Sequence, residues 1–187
     1  MLILSSFGLE TPLMRDRFSE HITNKNGTML IIPLAYDNSG DDGAYFKEKA
    51  VALGFSEDKV FAFDERKPED IPDIFFDYIY VPGGNTFVLL HNVKKFGLDK
   101  LINENYARGC VYIGASAGAY IACPDIENVS LFDTDKKHDA DHTALGLTDK
   151  YVLCHYDQSR REKSKIYQQN IGNKELLILT DEDIIEI

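Results

Sequence analysis

Short apolar runs that alternate with helix-like segments constrain the fold of this chain more than any other feature of its sequence. Each run is too short for a helix and suits a buried strand. The runs are Leu2–Ser6, Met29–Leu34, Val60–Phe63, Tyr78–Val81, Cys110–Gly114, Tyr151–His155 and Leu176–Leu179. Strands that are buried on both faces have continuous apolar sequences of this kind, whereas half-exposed strands alternate apolar and polar residues. A parallel sheet covered on both faces is therefore predicted.

Segments with helical spacing lie between several of these runs. Ala44–Leu53, Thr86–Phe96 and Leu98–Arg108 are such segments, and each is followed by a glycine that can end a helix. Alternating strands and helices predict an α/β fold, here a three-layer sandwich with a mainly parallel sheet. With 187 residues, the chain is expected to form a single catalytic domain spanning 1–187. Its active site should lie at the carboxyl ends of the strands.

Net charge and cysteine content limit the partners and the location of the chain. The formal charge of −11 repels phosphate backbones, so no nucleic-acid partner is expected. Three scattered cysteines suit buried thiols in a reducing compartment, which predicts a cytoplasmic protein. Neither a signal peptide nor an apolar stretch long enough for a membrane span is found, so no membrane partner is expected. The oligomeric state is expected to be a monomer or a small homo-oligomer.

Two regions are harder to interpret. The stretch 124–149 is rich in Asp, Lys, His and Thr, which indicates a long mobile excursion or a lid over the site. The sequence ends within the apolar run Ile184–Ile187, which is expected of a chain that stops short of its natural terminus.

A strong chemical signal is the GxSxG pattern at 114–118. It follows the strand-like run Cys110–Gly114 and precedes the helix-like Ala119–Ala122. A serine on such a sharp strand-to-helix turn has an exposed hydroxyl, and the small neighbours allow a close backbone approach. Ser116 is therefore predicted to be a catalytic nucleophile, the alternative being a turn required only for packing.

A second loop, Pro82–Asn85, follows the strand-like run Tyr78–Val81. Its glycines can direct backbone amides into a cleft, and an acyl-transfer enzyme needs two such donors for the tetrahedral oxyanion. The amides of Gly84 and Ala117 are the candidates. Asn85 can cap the following helix and is also a candidate for substrate binding. A capping turn without catalytic function is the alternative.

Of five histidines, only His155 ends a predicted strand, which places it at the same edge of the sheet as Ser116. It is therefore the predicted general base. The base needs a carboxylate partner, and Glu182, after the run Leu176–Leu179, is the chosen candidate. The other carboxylates that fit are Asp181, Asp183, Asp157 and Asp133. The residues alone do not separate these alternatives.

Two arginines follow the proposed base in Ser159–Glu162, which has the form of a capping box. Arginines in a first helical turn oppose the helix dipole unless an anion lies nearby. Arg160 and Arg161 are therefore candidates for binding a substrate carboxylate, and pairing with the protein's own carboxylates is the alternative.

Taken together, these motifs resemble a known enzyme family. Val81–Phe87, Gly114–Ala119 with Cys123-Pro124, His155-Tyr156 and Thr180–Ile184 are similar to the corresponding segments of the peptidase E and cyanophycinase family of serine peptidases. The resemblance implies an α/β sandwich like that of class I glutamine amidotransferases, and cleavage next to aspartate without a metal or cofactor.

By position, the resemblance implies a triad of Ser116, His155 and Glu182, with Gly84 and Ala117 as oxyanion donors. The expected substrates are small peptides, in particular dipeptides with N-terminal aspartate. An esterase or amidase that uses the same residues, and a silent binding module of the same fold, are the alternatives.

Overall fold

A computed structural model of the chain describes residues 1–36 and 42–187. Its strands are β1 Leu2–Ser5, β2 Met29–Ile31, β3 Val60–Ala62, β4 Tyr78–Val81, β5 Val111–Ala115, β6 Tyr151–Leu153, β7 Leu176–Ile178 and β8 Ile184–Glu186. Its α-helices are α1 Pro12–His21, α2 Asp42–Leu53, α3 Thr86–Lys95, α4 Leu98–Ala107, α5 Ala117–Ile121 and α6 Arg161–Ile171.

Six strands form the main sheet in the order β3-β2-β4-β5-β1-β8. All neighbours in it are parallel except β8, which runs antiparallel to β1 at one edge. Strands β6 and β7 pair with each other in a separate parallel ribbon. The predicted α/β architecture with a mainly parallel sheet is thus confirmed, with one antiparallel edge strand.

Each face of the main sheet is covered by its own hydrophobic cluster. On one face, α1 and α2 contribute Phe18, Phe46 and Ala50 to a cluster with β-strand residues such as Ile3. On the other face, helices α3 to α6 pack against the second set of alternating strand side chains. Burial on both faces explains why the strands read as continuous apolar runs.

Two elements were not predicted from the sequence. Helix α1 buries only Met14 and Phe18, which are one turn apart, and its other positions are mostly polar, so its apolar pattern is weak. The Thr11 side chain accepts a hydrogen bond from the Met14 amide and caps this helix. Strand β8 is formed by the terminal apolar run, which hydrogen-bonds to β1.

The excursion 124–149 lies against helix α3. It contains a 3₁₀ turn at Glu127–Leu131 and an isolated bridge between Asp125 and Thr143. Asp139 and Asp141 pair with His91 and Lys94 of α3, at 2.9 and 2.8 Å. These contacts fasten the excursion to the outer face of α3.

The cysteines fit the expectation from composition. Cys110, Cys123 and Cys154 are free and buried, in agreement with the prediction of buried thiols. Within 1–36 and 42–187, no helix combines the length and the apolar character that crossing a membrane requires.

Candidate active site

Ser116 stands at the turn between β5 and α5 in a strained backbone conformation, with φ 49° and ψ −108°. L-residues rarely adopt positive φ, and such strain is typical of nucleophiles held on a sharp turn. The Ser116 amide donates to the Ser5 carbonyl at 2.9 Å, which ties the turn to the end of β1. The predicted elbow is therefore present in the structure.

The two glycines of the GxSxG pattern are required by close backbone contacts. A Cβ at Gly118 would lie 2.0 Å from the Val81 carbonyl oxygen, and a Cβ at Gly114 would lie 2.5 Å from the Gly118 carbonyl oxygen. Neither position can accept a side chain without a backbone shift. The elbow thus packs directly on β4 and on its own preceding strand.

His155 follows β6 and reaches the nucleophile. Its Nε2 lies 2.9 Å from Ser116 Oγ. Its own amide donates to Ser6 Oγ at 2.9 Å, and Ser6 Oγ donates in turn to the Leu179 carbonyl at 3.1 Å. The Phe7 ring packs edge-on against the imidazole, with 5.3 Å between ring centroids. The structure thus brings Ser116 and His155 together as the sequence predicts.

The carboxylate that faces the imidazole is that of Asp181. Its Oδ1 lies 2.6 Å from His155 Nδ1, a position that makes Nδ1 the protonated nitrogen because a carboxylate only accepts. Nε2 is then free to accept the serine proton. Glu182, the candidate chosen from the sequence, instead pairs with Arg17 at 2.8 Å. Adjacent residues in this turn point in different directions, so the prediction of Glu182 does not match the geometry.

The remaining candidate carboxylates have other partners. Asp183 accepts from the amide and hydroxyl of Thr180, both at 2.7 Å. Asp157 caps the turn that precedes α6. Asp133 accepts from the amide and the hydroxyl of Thr86 at the start of α3.

The two predicted oxyanion donors lie at the expected loops. Gly83 faces the nucleophile, since a Cβ there would lie 3.6 Å from Ser116 Oγ, and Gly84 follows with φ 135°. In the part of the chain that the structure describes, the Gly84 and Ala117 amides have no hydrogen-bond acceptor. A Cβ at Gly84 would collide with Ala35 at 2.5 Å, so only glycine fits this loop.

The three predicted substrate-binding side chains are engaged elsewhere or lie outside the cavity beside Ser116. Asn85 accepts from the Val88 amide as the cap of α3 and donates to the Thr134 carbonyl at 2.9 Å. Arg160 donates to the Cys154 carbonyl at 2.8 Å and lies over the Phe132 ring. Arg161 begins α6 and is exposed.

A cavity of about 210 Å³ opens beside the nucleophile. Its described lining residues are Ser6, Phe7, Gly8, Glu10, Tyr36, Phe46, Gly83, Gly84, Ala115, Ser116 and His155. None of them belongs to the excursion 124–149, and none is a lysine or an arginine. A larger cavity of about 450 Å³ lies beside α4, but it contains no serine and no histidine among its described lining residues.

Sequence reasoning missed the contribution of the segment after β1. Ser6, Phe7 and Glu10 all follow that strand and line the cavity or position the base. Their position at the carboxyl end of a central strand is the signal that could have identified them. No group of three metal-ligating side chains occurs in 1–36 and 42–187.

Comparisons with known proteins agree with the geometry. The model of peptidase family S51 matches residues 1–187. An uncharacterized peptidase of Listeria innocua is 39% identical over 121 residues, which are 58% of this chain and 58% of that protein. Peptidase E of Salmonella arizonae is 36% identical over 106 residues, which cover 57% of this chain and 45% of that protein. The matched part is thus about half the length of these curated relatives.

Solved structures extend the similarity over the whole fold. A candidate peptidase E from Listeria monocytogenes superposes with a TM-score of 0.76 at 29% identity, covering 100% of this chain and 93% of that one. A peptidase from an acI-B1 actinobacterium superposes with a TM-score of 0.66 at 21% identity, covering 96% of this chain and 80% of that one. At that identity the second similarity concerns the fold alone.

Proposed function

The chain belongs to peptidase family S51, and from this premise we propose that it is a serine peptidase that cleaves short peptides through an acyl-enzyme. The observation that carries the proposal is the contact of 2.9 Å between His155 Nε2 and Ser116 Oγ on a strained strand-to-helix turn. A packing turn alone needs no base within hydrogen-bond reach of its serine.

The proposed reaction begins when Ser116 Oγ attacks the scissile carbonyl carbon while His155 Nε2 takes the hydroxyl proton. Asp181 holds the imidazole with Nδ1 protonated and stabilises the imidazolium that forms. The oxyanion accepts hydrogen bonds from the Gly84 and Ala117 amides. His155 then protonates the leaving amine, and water, activated by the same imidazole, releases the acyl group from Ser116.

The size of the cavity supports short peptides as the substrate class. About 210 Å³ is below the range of about 300–1,000 Å³ that is usual for drug-sized ligands, so the cavity accepts one end of a peptide. The adjoining walls are the Phe7, Tyr36 and Phe46 rings, which suit an apolar side chain.

A preference for N-terminal aspartate is the finer part of the proposal, and it needs a cation near the substrate side chain. The described lining of the cavity offers none, and the Arg160 guanidinium already contacts Cys154 and Phe132. The geometry therefore supports a preference for short peptides more strongly than a preference for aspartate. A comparison of Asp-Leu with Ala-Leu measures the preference for aspartate.

The test of the proposal is Ser116→Ala in the full chain, with both dipeptides as substrates and product formation followed by chromatography. Loss of the nucleophile should lower kcat by at least about 10³-fold, as triad removals do in serine peptidases. Ser130→Ala, an exposed serine in the excursion, is the matched control and should retain wild-type rates. Wild-type hydrolysis by Ser116→Ala would refute the proposal. A fluorophosphonate should label the wild type and the control, but not Ser116→Ala.

A further inference from the structure

A carboxylate that the proposed reaction does not use lines the cavity of the nucleophile. Glu10 follows β1 and contributes to the same cavity wall as Ser116 and Gly83. Its Oε2 atom is buried and has no hydrogen-bond partner in the part of the chain that the structure describes. Buried carboxylate oxygens are normally paired, so a carboxylate with one unpaired buried oxygen, on a residue that lines the cavity, favours a ligand that donates.

The Glu10 carboxylate lies beside Gly8. A Cβ at Gly8 would lie 2.9 Å from Glu10 Oε2 and 3.2 Å from Ala115 Cβ, so this oxygen and the residue before the nucleophile flank the same glycine. That added Cβ would also lie 2.0 Å from the Tyr80 hydroxyl oxygen. This hydroxyl accepts a hydrogen bond from the Leu9 amide at 3.1 Å. Glycine at position 8 thus leaves space between the carboxylate and the elbow.

The charge of the cavity wall favours a cationic ligand. Glu10 is the one charged carboxylate among its described lining residues, and no lysine or arginine accompanies it. Burial raises the pKa of Glu10, and hydrogen bonds from the backbone amides of Glu10 and Gly8 offset this only in part, so the ionised form is disfavoured in the free protein. A ligand ammonium would supply both the missing donor and the missing charge.

In a peptide, the cation closest to a scissile carbonyl is the α-ammonium of an N-terminal residue, two covalent bonds from the carbonyl carbon. We propose that Glu10 binds the α-ammonium of the substrate and so restricts cleavage to the first peptide bond of peptides with a free N-terminus. This inference rests on the proposed function, since it places the attacked carbonyl at Ser116. The small cavity fits it, because nothing longer than one residue needs to lie beyond the nucleophile.

The experiment uses two substrates that differ only in the ammonium: Ala-Leu and propionyl-Leu, in which hydrogen replaces the amino group. Wild-type protein and Glu10→Gln are assayed with both. A hydrogen bond between charged groups predicts that kcat/KM of the wild type is about 10- to 100-fold lower for propionyl-Leu. Glu10→Gln should lower kcat/KM for Ala-Leu by a similar factor and leave that for propionyl-Leu within about twofold.

Assaying both proteins on both substrates separates recognition of the ammonium from a structural effect, since a structural role of Glu10 would lower kcat/KM for both substrates equally. Glu20→Gln, an exposed glutamate in α1, is the matched control and should behave as the wild type. Fluorophosphonate labelling of Ser116, which needs no ammonium, should be unchanged in Glu10→Gln.

The two proposals fail in different ways. Wild-type protein that is labelled by the fluorophosphonate but cleaves both substrates equally would overturn the role of Glu10 and leave the nucleophile in place. Equal losses for both substrates in Glu10→Gln would also overturn it. Wild-type protein that neither reacts with the probe nor cleaves either substrate would overturn the proposed function and with it the inference.

Discussion

The carboxylate of Asp181 illustrates how neighbouring acids in one turn take different partners. The turn after β7 offers three consecutive acids, Asp181, Glu182 and Asp183. Asp183 accepts from Thr180 and so closes the turn, Glu182 points to Arg17 on α1, and only Asp181 points to the imidazole. Its side chain is 58% exposed, so water weakens its electrostatic interaction with the imidazole. Its main contribution is then to orient the imidazole ring.

We predict that Asp181→Asn lowers kcat by about 10²- to 10⁴-fold, because an amide at this place favours the wrong histidine tautomer. The measurement is steady-state hydrolysis of Ala-Leu at neutral pH. Glu182→Gln is the control and should stay within about twofold of the wild type, since the Arg17 pair that it removes is exposed. The reverse result, an active Asp181→Asn and an inactive Glu182→Gln, would restore the residue chosen from the sequence.

The proposed nucleophile and the proposed base could be located from the sequence because each follows a recognisable strand. Ser116 carries a local pattern whose glycines are dictated by backbone contact, and His155 is the only histidine at a predicted strand end. The choice between Asp181 and Glu182 could not be predicted in this way. It depends on side-chain direction within one turn and on a partner, Arg17, that is distant in sequence.

At the scale of elements, the elbow depends on a helix that packs backbone to backbone on a strand. Helix α5 has five residues, and Gly118 within it lies against the Val81 carbonyl of β4. Tyr112 of β5 adds a hydrogen bond from its hydroxyl to the Gly118 carbonyl at 2.8 Å. The helix is therefore held by its contacts with the sheet, because five residues are too few for an independently stable helix.

Gly118→Ala should destabilise the protein by at least about 3 kcal/mol, since the added methyl group meets a carbonyl oxygen that cannot move without displacing β4. Urea unfolding followed by circular dichroism measures the change. Gly97→Ala is the control: nothing lies within 4 Å of the added Cβ, so only its positive φ should cost about 1–2 kcal/mol. Equal urea concentrations at the unfolding midpoint for the two variants would contradict the close packing of α5 on β4.

Some strands and helices could be predicted from the sequence and others could not, and the difference depends on how fully each element is buried. Strands β1, β2, β4 and β5 could be recognised because burial on both faces makes them continuously apolar. Helix α1 could not, because it buries only two of its ten residues. The pairing of β6 with β7 outside the main sheet could not be predicted either, because local sequence carries no information about which strands are neighbours.

At the scale of the whole molecule, the composition of the excursion 124–149 did not reveal that it is attached to α3. A polar segment without apolar periodicity reads as mobile or as a lid. In the structure its carboxylates, Asp133, Asp139 and Asp141, bind the side chains or backbone of α3. The described lining of the cavity comes instead from α2, from the elbow after β5 and from the segments after β1, β2, β4 and β6.

The buried carboxylate of Glu10 should also affect the stability of the whole fold. Burial raises its pKa, so the folded protein binds this proton more tightly than the unfolded chain. The resulting stabilisation is fully present below the unfolded value of 4.5 and is lost as pH rises through the higher folded value. Above the folded value, ionised Glu10 thus lowers the free energy of unfolding.

Glu10→Gln, which removes the charge but keeps the shape, should therefore raise the melting temperature at pH 7.5 and leave it nearly unchanged at pH 4. Thermal unfolding of both proteins across this pH range gives the difference directly. Together with the expected loss of Ala-Leu hydrolysis, a higher melting temperature would identify Glu10 as a residue kept for binding at the expense of stability. A melting temperature that falls on substitution at pH 7.5 would mean that the ionised carboxylate already has stabilising partners within the protein. That result would contradict the proposal that Glu10 binds the substrate ammonium.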